Sequence, residues 1–343
     1  MKKIAILMPY FGRLPEYLGL YLKSVAGRCF DVIFITDLDL GEHPANVHVV
    51  KMTFDEVGLL ASCKLCLDVK MENPKRLCNF RPMYGRIFED YIASYDYWGF
   101  GDCDLVYGAA FDENVRAVVE ARWDVASFRK WWTSGPTTLV KNCEKCNWLY
   151  IRAENWRRVA TMSEAENQLF FDEVGGIWHS DLMFGRMTID ECAKIRDSFC
   201  AVVSRSKDIQ YYHEDILYEE NIAGSFVEMT SDGRLLLAGK TEIPVFHFIG
   251  NKFRRYFKMF PVSYSDVGHY IIDDAGLYVS RSQIRWRKLV NICRKLKAFF
   301  ESIRSNGLHH WIRRVASILP QYLKLHHNID KTPLCPKPPS NLT

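Results

Sequence analysis

The chain has 343 residues and a net charge of +4, enough length for one large domain or two small ones. An apolar share of 48% and a charged share of 25% exclude a disordered or fibrous chain. The opening run Met1 to Pro9 is too short for a signal peptide, and no stretch reaches the ~18–20 apolar residues of a transmembrane helix. Eleven cysteines in no framework spacing predict free thiols in a reducing, cytoplasmic setting. Cys63/Cys66 and Cys143/Cys146 are Cys-x-x-Cys pairs, but neither has a zinc-ribbon or finger context.

In chain order, Lys3 to Met8 is an apolar run that stops at Pro9-Tyr10-Phe11-Gly12, which predicts a buried strand and a loop. Leu14 to Ala26 repeats apolar residues at helical spacing, and Asp31 to Asp37 and Val47 to Met52 read as further buried strands. Strand, helix and strand with short connections predict a parallel sheet in an α/β domain. Tyr84 to Tyr95 reads as one helix with Ile87, Phe88, Tyr91 and Ile92 on one face. Asp112 to Ala121 reads as a helix, Val125 to Phe128 as a strand and Val245 to Gly250 as a late strand.

The composition changes near Ser280. Between Arg281 and Lys324, Glu301 is the only acid among many Lys and Arg. Leu289, Ile292, Cys293, Leu296, Phe299, Phe300 and Ile303 recur at three and four, with basic residues opposite. This predicts a core domain over 1–280, basic amphipathic helices over 281–327 and a disordered, Pro-rich tail over 328–343. Such helices suit an anionic membrane surface. No nucleic-acid motif accompanies them, so lipid is the expected partner and nucleic acid is not.

Two motifs carry chemistry. Asp102-Cys103-Asp104 follows the apolar run Tyr97 to Gly101. Two carboxylates at a strand exit can turn toward one hard cation, Mn²⁺ or Mg²⁺, which leaves positions for phosphate oxygens. Such an ion neutralises a diphosphate leaving group. In His247-x-x-Gly250-x-Lys252 the imidazole can join the same metal, the glycine admits close backbone approach to phosphate, and the lysine is a point charge for it.

The pairing of Asp102-x-Asp104 with His247-x-x-Gly250-x-Lys252 resembles the GT-A glycosyltransferases, especially the glycogenin and lipooligosaccharide galactosyltransferase group. The segment Cys78 to Leu105 and the opening Ile4 to Gly12 look like a family of bacterial capsule and O-antigen glycosyltransferases. The resemblance implies a GT-A catalytic domain with Asp102, Asp104 and His247 on the metal and Gly250 and Lys252 on the diphosphate. It implies that Pro9, Tyr10, Phe11 and Asp37 border the nucleotide and that Arg81 and Tyr84 hold ribose or phosphate. Trp132, Ser134, Gly135 and Pro136 would face donor sugar and acceptor. Asp172 or Glu173 would be the base of an inverting reaction, with His213-Glu214-Asp215 as the next candidate. The expected donor is a nucleotide diphosphate sugar, by default a UDP-hexose. The expected acceptor is a lipid-linked glycan or polysaccharide at the inner face of the cell membrane. Two rival readings are a haloacid-dehalogenase-type phosphatase using Asp37 and Asp39, and a non-enzymatic basic membrane adaptor.

Overall fold

The opening apolar run forms β1 (Ile4–Pro9), and the next two form β2 (Asp31–Thr36) and β3 (Val47–Lys51). β1 pairs in parallel with β2, and β2 with β3. Along β1, Ala5 and Leu7 enter one hydrophobic cluster while Ile4, Ile6 and Met8 enter another on the opposite face. Both faces are therefore covered, which is why these strands read as unbroken apolar runs rather than alternating ones. The computed structural model describes residues 2–163, 171–174, 179–219, 226–248, 262–265, 268–273 and 276–279, with positions 289, 292, 293, 296 and 300.

β4 (Tyr97–Gly101) adds to the free side of β1, again in parallel. A tight turn at Asp102–Leu105, closed by a 3.2 Å bond from Leu105 N–H to the Asp102 carbonyl, leads into β5 (Leu105–Tyr107). β6 (Val125–Ser127), β7 (Thr137–Lys141) and β8 (Tyr211–His213) complete the main sheet in the order β3-β2-β1-β4-β7-β6-β8. β7 runs antiparallel to both β4 and β6. Gly99 of β4 is required by this contact, since a Cβ there would lie 2.5 Å from the Thr138 carbonyl oxygen.

Two smaller sheets follow. β9 (Leu217–Glu219) and β13 (Val245–His247) join β5 in the order β5-β13-β9. β10 (Val227–Met229), β11 (Leu235–Leu237), β12 (Thr241–Ile243), β14 (Tyr270–Asp273) and β15 (Gly276–Tyr278) form the other, in the order β12-β11-β10-β14-β15. The fold is mixed α/β with several sheets.

Two sequence expectations are corrected in detail. The stretch from Tyr84 is two short helices, Tyr84–Ile87 and Glu89–Ile92, because the chain breaks at Phe88. Tyr91 is 37% exposed and does not share the buried face of Ile87, Phe88 and Ile92. His213, the first residue of the next base candidate group, ends strand β8.

The chain divides into two compact units, residues 1–281 and 282–343. In the second unit the five described positions are helical. Of these, Leu289, Ile292, Leu296 and Phe300 are 49–63% exposed. The remainder of the basic stretch and the 328–343 tail lie outside the described residues. Among the described residues, no helix is long and apolar enough to cross a membrane.

Candidate active site

The chain leaves β1 toward β2 and β3 on one side and returns as β4 on the other. At such a reversal the carboxyl ends of two parallel strands open a crevice. A cleft of about 910 Å³ lies there, lined by Pro9, Tyr10 and Phe11 from β1 and by Asp102 to Asp104 from β4.

The turn after β4 projects Asp102 and Asp104, and strand pairing supplies the third group. β13 lies antiparallel to β5 with His247 opposite Leu105, and Phe248 N–H donates to the Asp104 carbonyl at 3.3 Å. Register thus carries His247 to the acids across a long stretch of sequence. His247 Nε2 is 3.3 Å from Asp104 Oδ2, and one ligand atom from each of Asp102, Asp104 and His247 lies within 4.8 Å of the others. Asp104 and His247 are buried and Asp102 is half-buried. Two carboxylates and one imidazole at this separation could hold a divalent cation. No second such cluster occurs among the described residues, and the Cys-x-x-Cys pairs are not gathered into one site. The described cysteines are free thiols.

Beside this cluster sits a second one. The Arg81 guanidinium reaches Asp102 Oδ1 with one arm and donates to Asp172 Oδ2 at 2.9 Å with the other. Its side chain is buried, so both contacts act in a low-dielectric setting. Thr133 Oγ1 donates to the Asp172 carbonyl at 2.6 Å, and Gly135 N–H donates to Glu173 Oε1 at 2.8 Å. Glu173 Oε2 faces His179 Nε2 at 2.9 Å. The His179 ring stacks on Trp132, with centroids 4.4 Å apart and planes at 29°. Gly135 is the hub of this packing. A Cβ there would lie 2.8 Å from Asp172 Oδ2, 2.8 Å from Glu173 Oε1 and 2.9 Å from an Arg81 nitrogen.

The two adjacent acids have different proton affinities. Burial pushes the Asp172 carboxyl up to about 7, against the opposing pull of Arg81. Burial also acts on Glu173, but the His179 imidazole and the Gly135 N–H overcome it and hold that carboxyl below its ordinary value. Near the Asp102–Asp104–His247 cluster, burial first and then the neighbouring Cys103 and Asp104 raise the Tyr10 hydroxyl to about 12, so Tyr10 stays a neutral donor.

Most of the expected residues meet in one cleft: Pro9, Tyr10, Phe11, Arg81, Tyr84, Asp102, Asp104, Trp132, Ser134, Pro136, Asp172, Glu173 and His247 all line it. Gly135 touches it through Glu173. The Tyr84 hydroxyl is committed to the Leu77 carbonyl at 2.9 Å. Asp37 is not brought to the cleft. It is exposed past the end of β2, as is Asp39, whose carboxylate caps the Gly41 N–H. The phosphatase reading on these two acids thus loses the enclosed setting it needs. Asp215 is paired with Arg129 at 3.0 Å, and His213 faces the Lys130 carbonyl, so neither joins the two carboxylates. Gly250 and Lys252 lie outside the described residues.

Sequence reading missed His179 and Arg129, both on the cleft wall. A lone histidine in Trp178-His179-Ser180 carries no spacing signal. Arg129 was equally silent, although its position just after β6 would have aimed it at the crevice.

No curated protein matches this chain. Its sequence does match, over residues 6–275 and so across both clusters, the profile of a family described only as of unknown function, and the chain belongs to that family, DUF6625.

Proposed function

We propose that the chain is a metal-dependent glycosyltransferase of the GT-A type. It would move a hexose from a nucleotide diphosphate sugar, by default a UDP-sugar, to a lipid-linked or polysaccharide acceptor in surface polysaccharide synthesis. The observation that carries this reading is the convergence of Asp102, Asp104 and His247 at the crevice beside β1 and β4. Hard carboxylate oxygens with one imidazole suit Mn²⁺ or Mg²⁺. A cation held there supplies charge neutralisation for a departing diphosphate. Tyr10 and Phe11 edge the crevice where a base and ribose would lie. Arg81 fixes the orientation of Asp102 and ties it to Asp172. The Asp172–Glu173 pair lines the same cleft, beside Trp132, Ser134 and Pro136, the proposed sugar-facing wall. The cleft volume suits a ligand of nucleotide-sugar size.

The test is a screen of UDP-, GDP- and CMP-sugars for nucleotide release with Mn²⁺ present. Release is expected with a diphosphate donor and should vanish in excess chelator. Full activity in chelator, or release from CMP-sugars alone, overturns the reading. The cytoplasmic membrane face is proposed from the basic stretch 281–327. Full-length protein is expected to sediment with anionic vesicles and the chain cut at 280 is not. Equal sedimentation removes the membrane partner.

A further inference from the structure

We propose that His179, oriented by Glu173, is the base that takes the proton from the acceptor hydroxyl. The assignment rests on the transferase reading and goes beyond it, since that reading leaves acceptor activation to a carboxylate.

Among the described residues, Asp172, Glu173 and His179 are titratable groups on this wall, and the two acids are poorly placed to meet a substrate. The Asp172 side chain is 1% exposed, its Oδ2 accepts from Arg81, and Gly135 packs against it. The Glu173 side chain is 13% exposed; one oxygen accepts from Gly135 N–H and the other faces His179. The His179 side chain is 34% exposed and lines the cleft. Its orientation is fixed twice over. Stacking on Trp132 sets the plane of the ring, and the 2.9 Å contact from Nε2 to Glu173 sets its rotation within that plane. An ionised Glu173 beside Nε2 keeps the proton on that nitrogen and puts the basic lone pair on Nδ1, the logic by which carboxylates support histidine bases elsewhere. The same carboxylate stabilises the imidazolium once it forms.

The step balances without a further reactant. The acceptor O–H proton passes to His179 Nδ1 while the acceptor oxygen bonds to the anomeric carbon. The bond from that carbon to the diphosphate oxygen breaks, and its electron pair leaves with the nucleotide diphosphate. The anomeric configuration inverts, and the partly exposed imidazolium returns its proton to solvent.

The experiment uses full-length protein with Mn²⁺, a panel of UDP-hexoses and alkyl glycoside acceptors. Transfer is read by product formation and Mn²⁺–UDP binding by calorimetry. For His179→Ala, transfer should fall by about 10²–10⁴-fold. Mn²⁺–UDP affinity should stay unchanged, and added imidazole should restore part of the rate. His179→Gln, which keeps an N–H for Glu173 but has no basic nitrogen, should remain as impaired as the alanine variant. A parental rate in His179→Gln overturns the assignment and leaves only a positioning role. Parallel loss of Mn²⁺–UDP affinity in His179→Ala overturns it in favour of donor binding. No transfer by the unsubstituted chain on the whole panel overturns the transferase reading, and this assignment with it.

Discussion

The two clusters in the cleft are held by different kinds of structure. Asp102, Asp104 and His247 are set by backbone: a turn closed by its own hydrogen bond and a strand register that puts His247 opposite Leu105. Asp172, Glu173 and His179 are set mainly by side chains, one arginine, one threonine hydroxyl and one tryptophan face, with a single main-chain N–H from Gly135. A ladder of main-chain bonds tolerates changes in the residues around it, whereas a side-chain lattice fails when any one member shifts. Apart from Arg81, which also orients Asp102, the first cluster should therefore be sensitive mainly at its ligands, and the second at positions that never touch a substrate.

The largest effect is expected at the ligands. Asp104→Ala should lower Mn²⁺-dependent nucleotide release by about 10²–10³-fold with the main sheet intact by circular dichroism. Loss of folding along with activity would erase the contrast, because it would make the Asp102–Asp104–His247 cluster part of the core. The next effect sharpens the comparison. Gly135→Ala puts a methyl group within 3 Å of three buried charged side chains, which must then move. A displacement near 1 Å at a reacting group costs about 10²-fold, so transfer should fall roughly 10- to 100-fold while Mn²⁺ affinity is kept. Equal loss of Mn²⁺ affinity would show that the two clusters are one.

The last effect is on stability rather than rate and tests the buried acid directly. Asp172 holds its proton up to about pH 7 in the folded chain and releases it near its ordinary value when unfolded. Between those limits the folded state binds more protons, so stability falls as pH rises from about 4 to 7. The fall is at most about 4 kcal/mol. Urea midpoints measured across that window should lose this slope in Asp172→Asn. Parallel curves for the two proteins would mean that Arg81 keeps Asp172 ionised throughout.

The same contrast explains what could be read from sequence. β1, β2 and β4 announce themselves because strands covered on both faces are unbroken apolar runs, and a strand exit with two acids is a local signal. His247 was legible from its glycine and lysine spacing, although the register that delivers it was not. Of the second cluster, Arg81, Trp132, Gly135, Asp172 and Glu173 were expected only through the family resemblance, and His179 left no trace. Arg81, Gly135 and His179 come from separate loops and short helices with no common period, and what unites them is contact in space. The strands of the five-stranded sheet are only three or four residues long, too short for alternation to stand out.

The pairing of β5 with β13 also bears on how the protein is born. A ribosome making this chain delivers Asp102 and Asp104 well before His247, and closing so long a loop carries an entropic cost that only the finished β-ladder offsets. A nascent fragment ending before Val245 has both acids and no histidine partner for them. An ion that binds the completed trio and not the fragment favours the folded chain by mass action, about 2.7 kcal/mol at a hundredfold excess over its dissociation constant. Metal capture would then act as a completion signal, withheld until synthesis has passed the last strand that builds the cleft.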